Sequence, residues 1–319
     1  MWLYIAVAIL LLLFFLVSLL FFRRAFRRPE TKDLTEEEAF ITSELFGYAS
    51  VLAPALEWFR KQPWEELSLA AGDGTALKGL WLPKSGSKVC LLLFHGYGGL
   101  PQDLCLSARW AARRGWSVLI PYQRAHGKSG GSYCSLGLLE AEDCVLWAGK
   151  AAALAEGSRL ILHGMGMGAF TVLNALGKGM PSQVAAAVSE GTYDSPKNMM
   201  KTVMREQMRM RTFPLLQLFC LYGRLVWKRS AGAADLRLSL KEETAVPVLF
   251  IHGKKDLRVP FKMTEEAYKA CAARKELYLS ENAGHAACAP ADISAYFQKW
   301  QDFLQPLTAD GTGKPKTRK

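Results

Sequence analysis

A glycine-rich turn offers the clearest candidate chemistry in this 319-residue chain. It lies in the stretch RLILHGMGMGAF, Arg159 to Phe170, whose pattern predicts a buried strand, a tight turn and a helix. Two kinds of site are built on such a turn: one binds the pyrophosphate of a dinucleotide, and the other presents a catalytic nucleophile. The nucleophile turn has Ser or Cys in the middle of G-x-S-x-G, whereas this chain has Gly166 there.

The residues around the turn lend some support to the dinucleotide interpretation. Gly164 to Ala169 satisfies G-x-G-x-x-A, and Glu190 ends the next predicted strand, near the place of a ribose-binding acid. The motif is short, however, and it follows a late strand, whereas the dinucleotide motif normally opens the first βαβ unit. The turn by itself therefore leaves both interpretations open.

Short apolar runs alternate with helical stretches on both sides of this turn. The runs ELSLAA and LKGLWLP, separated by Gly72-Asp73-Gly74, predict an antiparallel hairpin. Six further runs are almost continuously apolar, as is typical of strands covered on both faces: VCLLLFHG, SVLIPY, RLILHG, VAAAVSEG, PVLFIHG and ELYLSE. The helices predicted between them span Gln102–Arg114, Leu138–Ala155, Ala169–Lys178, Phe261–Ala273 and Ala291–Phe303. This alternation predicts an α/β fold with a doubly wound, mostly parallel sheet.

The chain begins with an apolar run, Trp2 to Phe22, that contains no charged residue. As a helix it would span roughly the 30 Å of a bilayer core, which predicts a transmembrane anchor. The alternative, a cleaved signal peptide, would have a basic start and a small-residue cleavage site, and the sequence shows neither. Four arginines follow directly between Arg23 and Arg28, so we expect a single-pass cell-membrane protein with a cytoplasmic domain.

The net charge of +11 comes largely from this arginine cluster, from the tail GTGKPKTRK and from a basic stretch between Lys197 and Arg229. No nucleic-acid motif with interleaved aromatic residues accompanies it, so we expect no nucleic-acid partner. Contact with anionic lipid explains the charge, and a solvated basic surface explains the middle stretch equally well. The 7 cysteines show no paired spacing, which argues against a disulfide framework or a zinc site, and we expect no metal or cofactor.

One segment interrupts the alternation of strands and helices. The residues between SEGTYDS and PVLFIHG are too numerous for a connection and too apolar for a loop, so they predict an inserted helical cap at about 195–240. Its methionines either pack on the main domain or line an apolar pocket: Met199, Met200, Met204, Met208 and Met210. The predicted organisation is an anchor at 1–22, a basic cluster and helical connector at 23–60, an α/β domain at 61–306 and a basic tail at 307–319.

Four further motifs follow one another along the chain: LLLFHGYGG, YQRAHGKSGG, FIHGKKDLRVP and ENAGHAACAP. Together they resemble the α/β-hydrolase superfamily over residues 60–305, and most closely membrane-anchored bacterial proteins with a serine-aminopeptidase-like domain. The first is similar to the His-Gly motif that supplies part of the oxyanion hole. The second resembles the turn D-x-R-G-H-G-x-S, with Tyr122 and Ala125 in place of the usual Asp and Gly. The last two resemble the segments that carry the catalytic acid and the catalytic histidine.

The resemblance implies an α/β-hydrolase fold and a role for each matched residue. It places Gly166 at the nucleophile position, Asp256 as the acid and His285 as the base. The backbone N–H groups of Tyr97 and Met167 would form the oxyanion hole. In a parallel sheet these groups gather at the carboxyl ends of the strands, where ligands bind. The opening turn is therefore interpreted as a nucleophile elbow without its nucleophile.

Other polar residues near these motifs are expected to be structural. His95 and His126 are predicted to hold loops through hydrogen bonds. Ser129 and Ser132 follow the wrong strand to replace the missing nucleophile.

Three functions are compatible with such a site. The protein could be a non-catalytic ligand-binding or regulatory module at the membrane, or His285 could activate a water directly, since binding and the oxyanion hole alone sustain some catalysis. In the third interpretation the protein is a serine hydrolase by descent, and Gly166 is an engineered, strain-specific or erroneous substitution, since some Ser and Gly codons differ by one base. The resemblance implies carboxylic esters or small peptides as substrates, and the apolar cap favours an acyl ester, a lipid or a small apolar peptide as ligand.

Overall fold

The computed structural model describes residues 1–28, 45–243 and 245–308; the predicted connector at 29–44 and the tail from 309 lie outside them. The strands are β1 (Glu65–Ala70), β2 (Ala76–Leu82), β3 (Val89–Phe94), β4 (Ser117–Pro121), β5 (Arg159–Met165), β6 (Val184–Glu190), β7 (Val248–Gly253) and β8 (Lys275–Ser280). The α-helices are α1 (Trp2–Phe26), α2 (Ala49–Arg60), α3 (Cys105–Arg113), α4 (Leu139–Leu154), α5 (Met167–Leu176), α6 (Pro196–Thr202), α7 (Leu215–Trp227), α8 (Leu236–Ser239), α9 (Phe261–Ala270), α10 (Cys288–Ala291) and α11 (Ile293–Thr308). Short 3-10 helices span Phe46–Tyr48 and Pro101–Leu104.

The strands form one sheet of 8 strands in the order β1-β2-β4-β3-β5-β6-β7-β8. The hairpin β1–β2 and the pair β2–β4 are antiparallel, and every later pair is parallel. The predicted mostly parallel sheet is therefore confirmed. Because β3 and β5 are neighbours at its centre, the loops that follow them meet at the same edge of the sheet.

Two apolar layers cover the sheet, as expected for strands that are apolar on both faces. One layer contains α4, α5 and the segment between β6 and β7, and the other contains α2, α3 and α11. Strands β3, β4 and β7 are buried along their whole length. The central strands are thus held rigidly from both sides, which fixes the positions of the loops at their ends.

Helix α1 is long and apolar enough to cross a membrane. It continues past residue 22 to Phe26, because no glycine or proline interrupts it before Pro29. Most of it is exposed, but Phe22 and Phe26 are buried in the same apolar layer as α5. The end of the predicted anchor is therefore also part of the packed domain.

The segment between β6 and β7 contains α6, a π-helical turn at Val203–Gln207, α7 and α8. It corresponds to the cap predicted at about 195–240. Met200 and Met204 pack in the core, and α7 packs across the last turns of α1. This segment therefore lies against both the α/β domain and the end of α1.

Candidate active site

The turn between β5 and α5, predicted as a nucleophile elbow, is tight and strained. Gly166 has φ 57° and ψ −114°, a combination that strains any residue with a side chain. Its N–H donates a hydrogen bond to the backbone oxygen of Glu190 at 2.8 Å, which holds the turn against β6. The residue at the centre of this turn carries no side chain.

Two neighbouring glycines allow the helix after the elbow to approach the sheet. A Cβ on Gly164 would lie 2.1 Å from the backbone oxygen of Gly168, and a Cβ on Gly168 would lie 2.0 Å from that of Phe94. Both positions therefore exclude a side chain. Close packing of α5 on β3 and β5 accounts for these glycines without a bound pyrophosphate.

The carboxylate of Glu190 is not available to a ribose. The side chain is buried, and it accepts hydrogen bonds from the Tyr296 hydroxyl at 2.6 Å and from the N–H of Cys288 at 3.3 Å. Burial raises the pKa of this carboxyl group. Glu190 thereby joins the end of β6 to the segment after His285. Its carboxylate therefore cannot serve as the ribose-binding acid that the dinucleotide interpretation requires.

His285 and Asp256 form a hydrogen-bonded pair beside the elbow. Asp256 follows β7, His285 follows β8, and the distance from His285 Nδ1 to Asp256 Oδ2 is 2.8 Å. A Cβ at Gly166 would lie 3.7 Å from His285 Nε2. The structure thus brings together the three residues predicted as nucleophile position, acid and base. The acid orients the ring and leaves its second nitrogen facing the elbow.

Asp256 stays ionised because several donors surround it. Burial on its own raises the pKa of Asp256, but hydrogen bonds from His252, His285 and Val259 outweigh burial and hold the pKa well below its usual value. Its Oδ1 accepts the N–H groups of Arg258 and Val259, each at 2.8 Å. The carboxylate is therefore fixed in position by its own loop.

A second histidine, His252, contacts Asp256 from within β7. No role was predicted for it. Its Nε2 lies 2.9 Å from the backbone oxygen of Val259 and 3.2 Å from Asp256 Oδ2. Its Nδ1 lies 2.7 Å from the hydroxyl of Thr264, which donates its own proton to the backbone oxygen of Thr192. Both ring nitrogens are thus held by hydrogen-bond partners, which fixes the ring beside Asp256. The only signal in the sequence is its position four residues before the acid in HGKKD.

The two predicted oxyanion donors lie on either side of the elbow. Met167 is the first residue of α5, so its N–H has no acceptor within the helix. Tyr97 follows Gly96, whose Cα would lie 3.8 Å from a Cβ at Gly166. Two backbone N–H groups in such places could stabilise a developing oxyanion. The Tyr97 hydroxyl donates to the backbone oxygen of Ala25, which joins this loop to the end of α1.

The remaining polar residues of the predicted motifs hold loops. His126 Nε2 accepts the N–H of Gly98 at 2.9 Å, and His95 Nε2 accepts that of Gln123 at 3.0 Å. Burial lowers the pKa of His95 to about 3, so the ring stays neutral and able to accept. Ser129 donates to the backbone oxygen of Tyr122. These contacts give His95, His126 and Ser129 structural roles.

A cavity of about 500 Å³ lies over the elbow. Its floor contains Gly166 and His285. Its walls are mainly apolar and come from the cap and from the end of α1, including Phe26, Met199, Met204, Met208 and Phe219. Four of the five predicted cap methionines line it, namely Met199, Met200, Met204 and Met208.

Within the described residues, no group of three or more His, Cys, Asp or Glu side chains could hold a metal ion.

Comparison with known proteins supports the fold and identifies the family. The model of the prolyl oligopeptidase family (Peptidase_S9) matches residues 106–310, more than half of the 319-residue chain. The Bacillus subtilis (strain 168) protein YqkD is 29% identical over 198 residues, which make up 60% of this chain and 63% of YqkD. The match therefore spans less than two thirds of that relative.

Two solved structures share the fold. The esterase Pf2001 of Pyrococcus furiosus superposes with a TM-score of 0.61 at 21% identity, covering 78% of this chain and 94% of the esterase. A membrane phospholipase A, described as a bacterial virulence factor, superposes with a TM-score of 0.57 at 18% identity, covering 83% of this chain and 93% of that protein. The chain therefore belongs to the prolyl oligopeptidase family, within the α/β-hydrolase superfamily that its motifs resemble.

Proposed function

We propose that this chain is a membrane-anchored protein that binds an acyl ester, or a similar small lipid or peptide, without forming an acyl-enzyme. One observation carries the proposal: the cavity reaches Gly166, which has no side chain that could act as a nucleophile. The apolar walls suit an acyl chain, and methionine side chains adapt to ligands of different shape. The names of the two solved structures, an esterase and a phospholipase A, point to the same class of ligand.

A fluorophosphonate probe should fail to label the purified protein, because the elbow offers no nucleophile. A fluorescent fatty acid should nevertheless bind saturably. Met208→Trp should weaken that binding, since Met208 lines the cavity and is 45% exposed, so that a larger ring can fit. Leu238→Trp is the matched control, because Leu238 is 65% exposed on the same segment and does not line the cavity. Stoichiometric labelling of any serine, or equal binding by both variants, would contradict the proposal.

A second candidate function is slow hydrolysis by a water that His285 activates. The hydrogen bond between His285 Nδ1 and Asp256 Oδ2, 2.8 Å long, favours this function. His285 also lines the cavity, whereas a pair with a purely structural role would not need to face it. Sites that lack one triad member retain roughly 10³–10⁴-fold catalysis over water. Ester turnover that survives in this protein and disappears in His285→Ala would favour this function over binding alone.

We propose further that α1 anchors the protein with its domain in the cytoplasm. Cleavage of a signal peptide would remove Phe22, which is fully buried in the domain core, so retention of the helix suits the fold better. The arginines that follow the span support the orientation.

Protease added to intact cells should therefore leave the domain uncut, and the same protease should degrade it after the cells are lysed. The measurement is an immunoblot against the domain. Degradation in intact cells would reverse the proposed orientation.

A further inference from the structure

The cap helix α7 packs across the base of α1. Ser18 Oγ lies 2.9 Å from the hydroxyl of Tyr222, and the Phe22 ring contacts the rings of Phe219 and Trp227, each at 5.7 Å between centroids. Ser18 precedes Arg23 by five residues, so Tyr222 reaches roughly 7 Å into the apolar part of the anchor. Part of α7 therefore lies level with the apolar residues of α1 and not with the arginine cluster that follows them.

Within the described part of the chain, one side of α7 has no protein cover. Leu221 is 49% exposed and Leu225 is 69% exposed, and they lie on one stripe with the half-buried Leu218. The opposite stripe, which includes Phe219 and Trp227, is buried against α1 and the domain. A helix that is apolar on both sides is unusual at a water-facing surface, and α1, on which α7 packs, is also apolar and mostly exposed.

Basic residues flank this stripe. Arg224 and Lys228 are exposed on or next to α7, and Arg23 and Arg24 are exposed at the end of α1. An apolar stripe with basic edges fits the boundary between acyl chains and anionic headgroups. A lipid bilayer therefore fits this surface of α7. The basic residues predicted to contact anionic lipid lie along its edges.

The wall of the cavity over the elbow includes residues of the same two helices. Ala25 and Phe26 of α1 and Phe219 of α7 form one of its walls, while Gly166 and His285 form its floor. Helix α1 therefore forms part of the wall of the candidate site as well as anchoring the domain to the membrane. In a bilayer, the ester groups of glycerolipids lie at the boundary between headgroups and acyl chains, which is the level of this wall.

We infer that the cavity receives its ligand directly from the membrane, and that the ligand is an acyl-ester lipid of the leaflet next to the domain. Its chain would lie among the cap methionines, and its ester would reach Gly166 and His285. The inference rests on the proposed function, since it specifies the ligand of the same cavity. It adds that the ligand passes from the bilayer into the cavity at the wall that Ala25, Phe26 and Phe219 form.

The test uses the full chain in phosphatidylglycerol vesicles that contain a phosphatidylcholine with a diazirine on its acyl chain. After irradiation, mass spectrometry should find lipid adducts on α7 and on the cavity residues Met204 and Met208. The double variant Leu221→Glu, Leu225→Glu should lose the cavity adducts at least tenfold, because it places charges on the stripe that faces the lipid. Leu238→Glu is the matched control and should keep them, since Leu238 is equally exposed but lies in α8.

Binding of a soluble fluorescent fatty acid separates this inference from the proposed function. The double variant should bind it with the affinity of the unaltered protein, because neither Leu221 nor Leu225 lines the cavity. Soluble ligand binding without lipid adducts in the cavity would overturn the membrane route and leave the proposed function standing. Equal cavity adducts in the double variant and the unaltered protein would also overturn the route. Absence of both signals in the unaltered protein would overturn the proposed function itself.

Discussion

Gly166→Ser should convert this protein into one that reacts with fluorophosphonates and hydrolyses short-chain p-nitrophenyl esters. A Cβ at this position would lie 3.6 Å from His285 Cε1 and 3.7 Å from His285 Nε2, which is ordinary contact. The hydroxyl would therefore come within hydrogen-bond reach of the base, with Asp256 already paired behind it. Because the triad acts as a unit, the gain in ester turnover should be on the order of 10³-fold or more.

The substitution should also cost stability. At φ 57° a side chain is strained by about 1–3 kcal/mol, so the thermal midpoint should fall by a few degrees. Gly98→Ser is a matched control, since Gly98 also has a positive φ of 71° and a Cβ there meets nothing within 4 Å. It should show a similar loss of stability and no gain of activity.

A second substitution tests the assignment of the base. Gly166→Ser combined with His285→Ala should show neither labelling nor turnover above the starting protein. A gain that persists without His285 would mean that another group is the base. A folded Gly166→Ser protein without any gain would mean that the site has diverged beyond its nucleophile.

Phe22→Ala should lower the free energy of unfolding of the domain by about 3–5 kcal/mol, although Phe22 lies in a helix that could span a membrane. Its side chain is fully buried among Phe26, Phe219 and Trp227, so truncation leaves a cavity in the core. The measurement is chemical denaturation of the detergent-solubilised full chain, followed by tryptophan fluorescence.

Phe21→Ala is the matched control for this experiment. Phe21 is the adjacent residue in the same helix, but it is 45% exposed, so its truncation should change the domain's stability by much less than 1 kcal/mol. Equal effects of the two substitutions would show that α1 does not pack on the domain in solution. A truncation that removes residues 1–28 should be more disruptive still, because it takes both buried phenylalanines with it.

The sequence by itself determined the class of fold and the residue types of the turn after β5. The continuous apolar runs of β3, β5 and β7 require cover on both faces, and this local property predicts a parallel sheet without knowledge of the contacts. Small residues at Gly164 and Gly168 mark a helix packed tightly on its strand. Gly166 shows directly that the turn has no nucleophile, because that is a matter of residue identity.

The tertiary structure alone decided how distant residues meet at the site. Asp256 and His285 are separated by 29 positions, and only the adjacent pairing of β7 and β8 brings their loops together. The contact of His252 with Asp256 was not predicted, because a histidine inside an apolar strand has no distinctive sequence pattern. Its role depends on Thr264 and Asp256, which reach it from the segments that follow β7.

The relation of α1 to the site could not be read from the sequence for a physical reason. Helix α1 is apolar on every side, so no periodicity distinguishes Phe22, which faces the domain, from Phe21, which does not. The face that packs is chosen by its partners in α7, about two hundred positions away along the chain. Residue types therefore predict that the helix is apolar, and only the folded chain shows that its last turn forms a wall of the cavity.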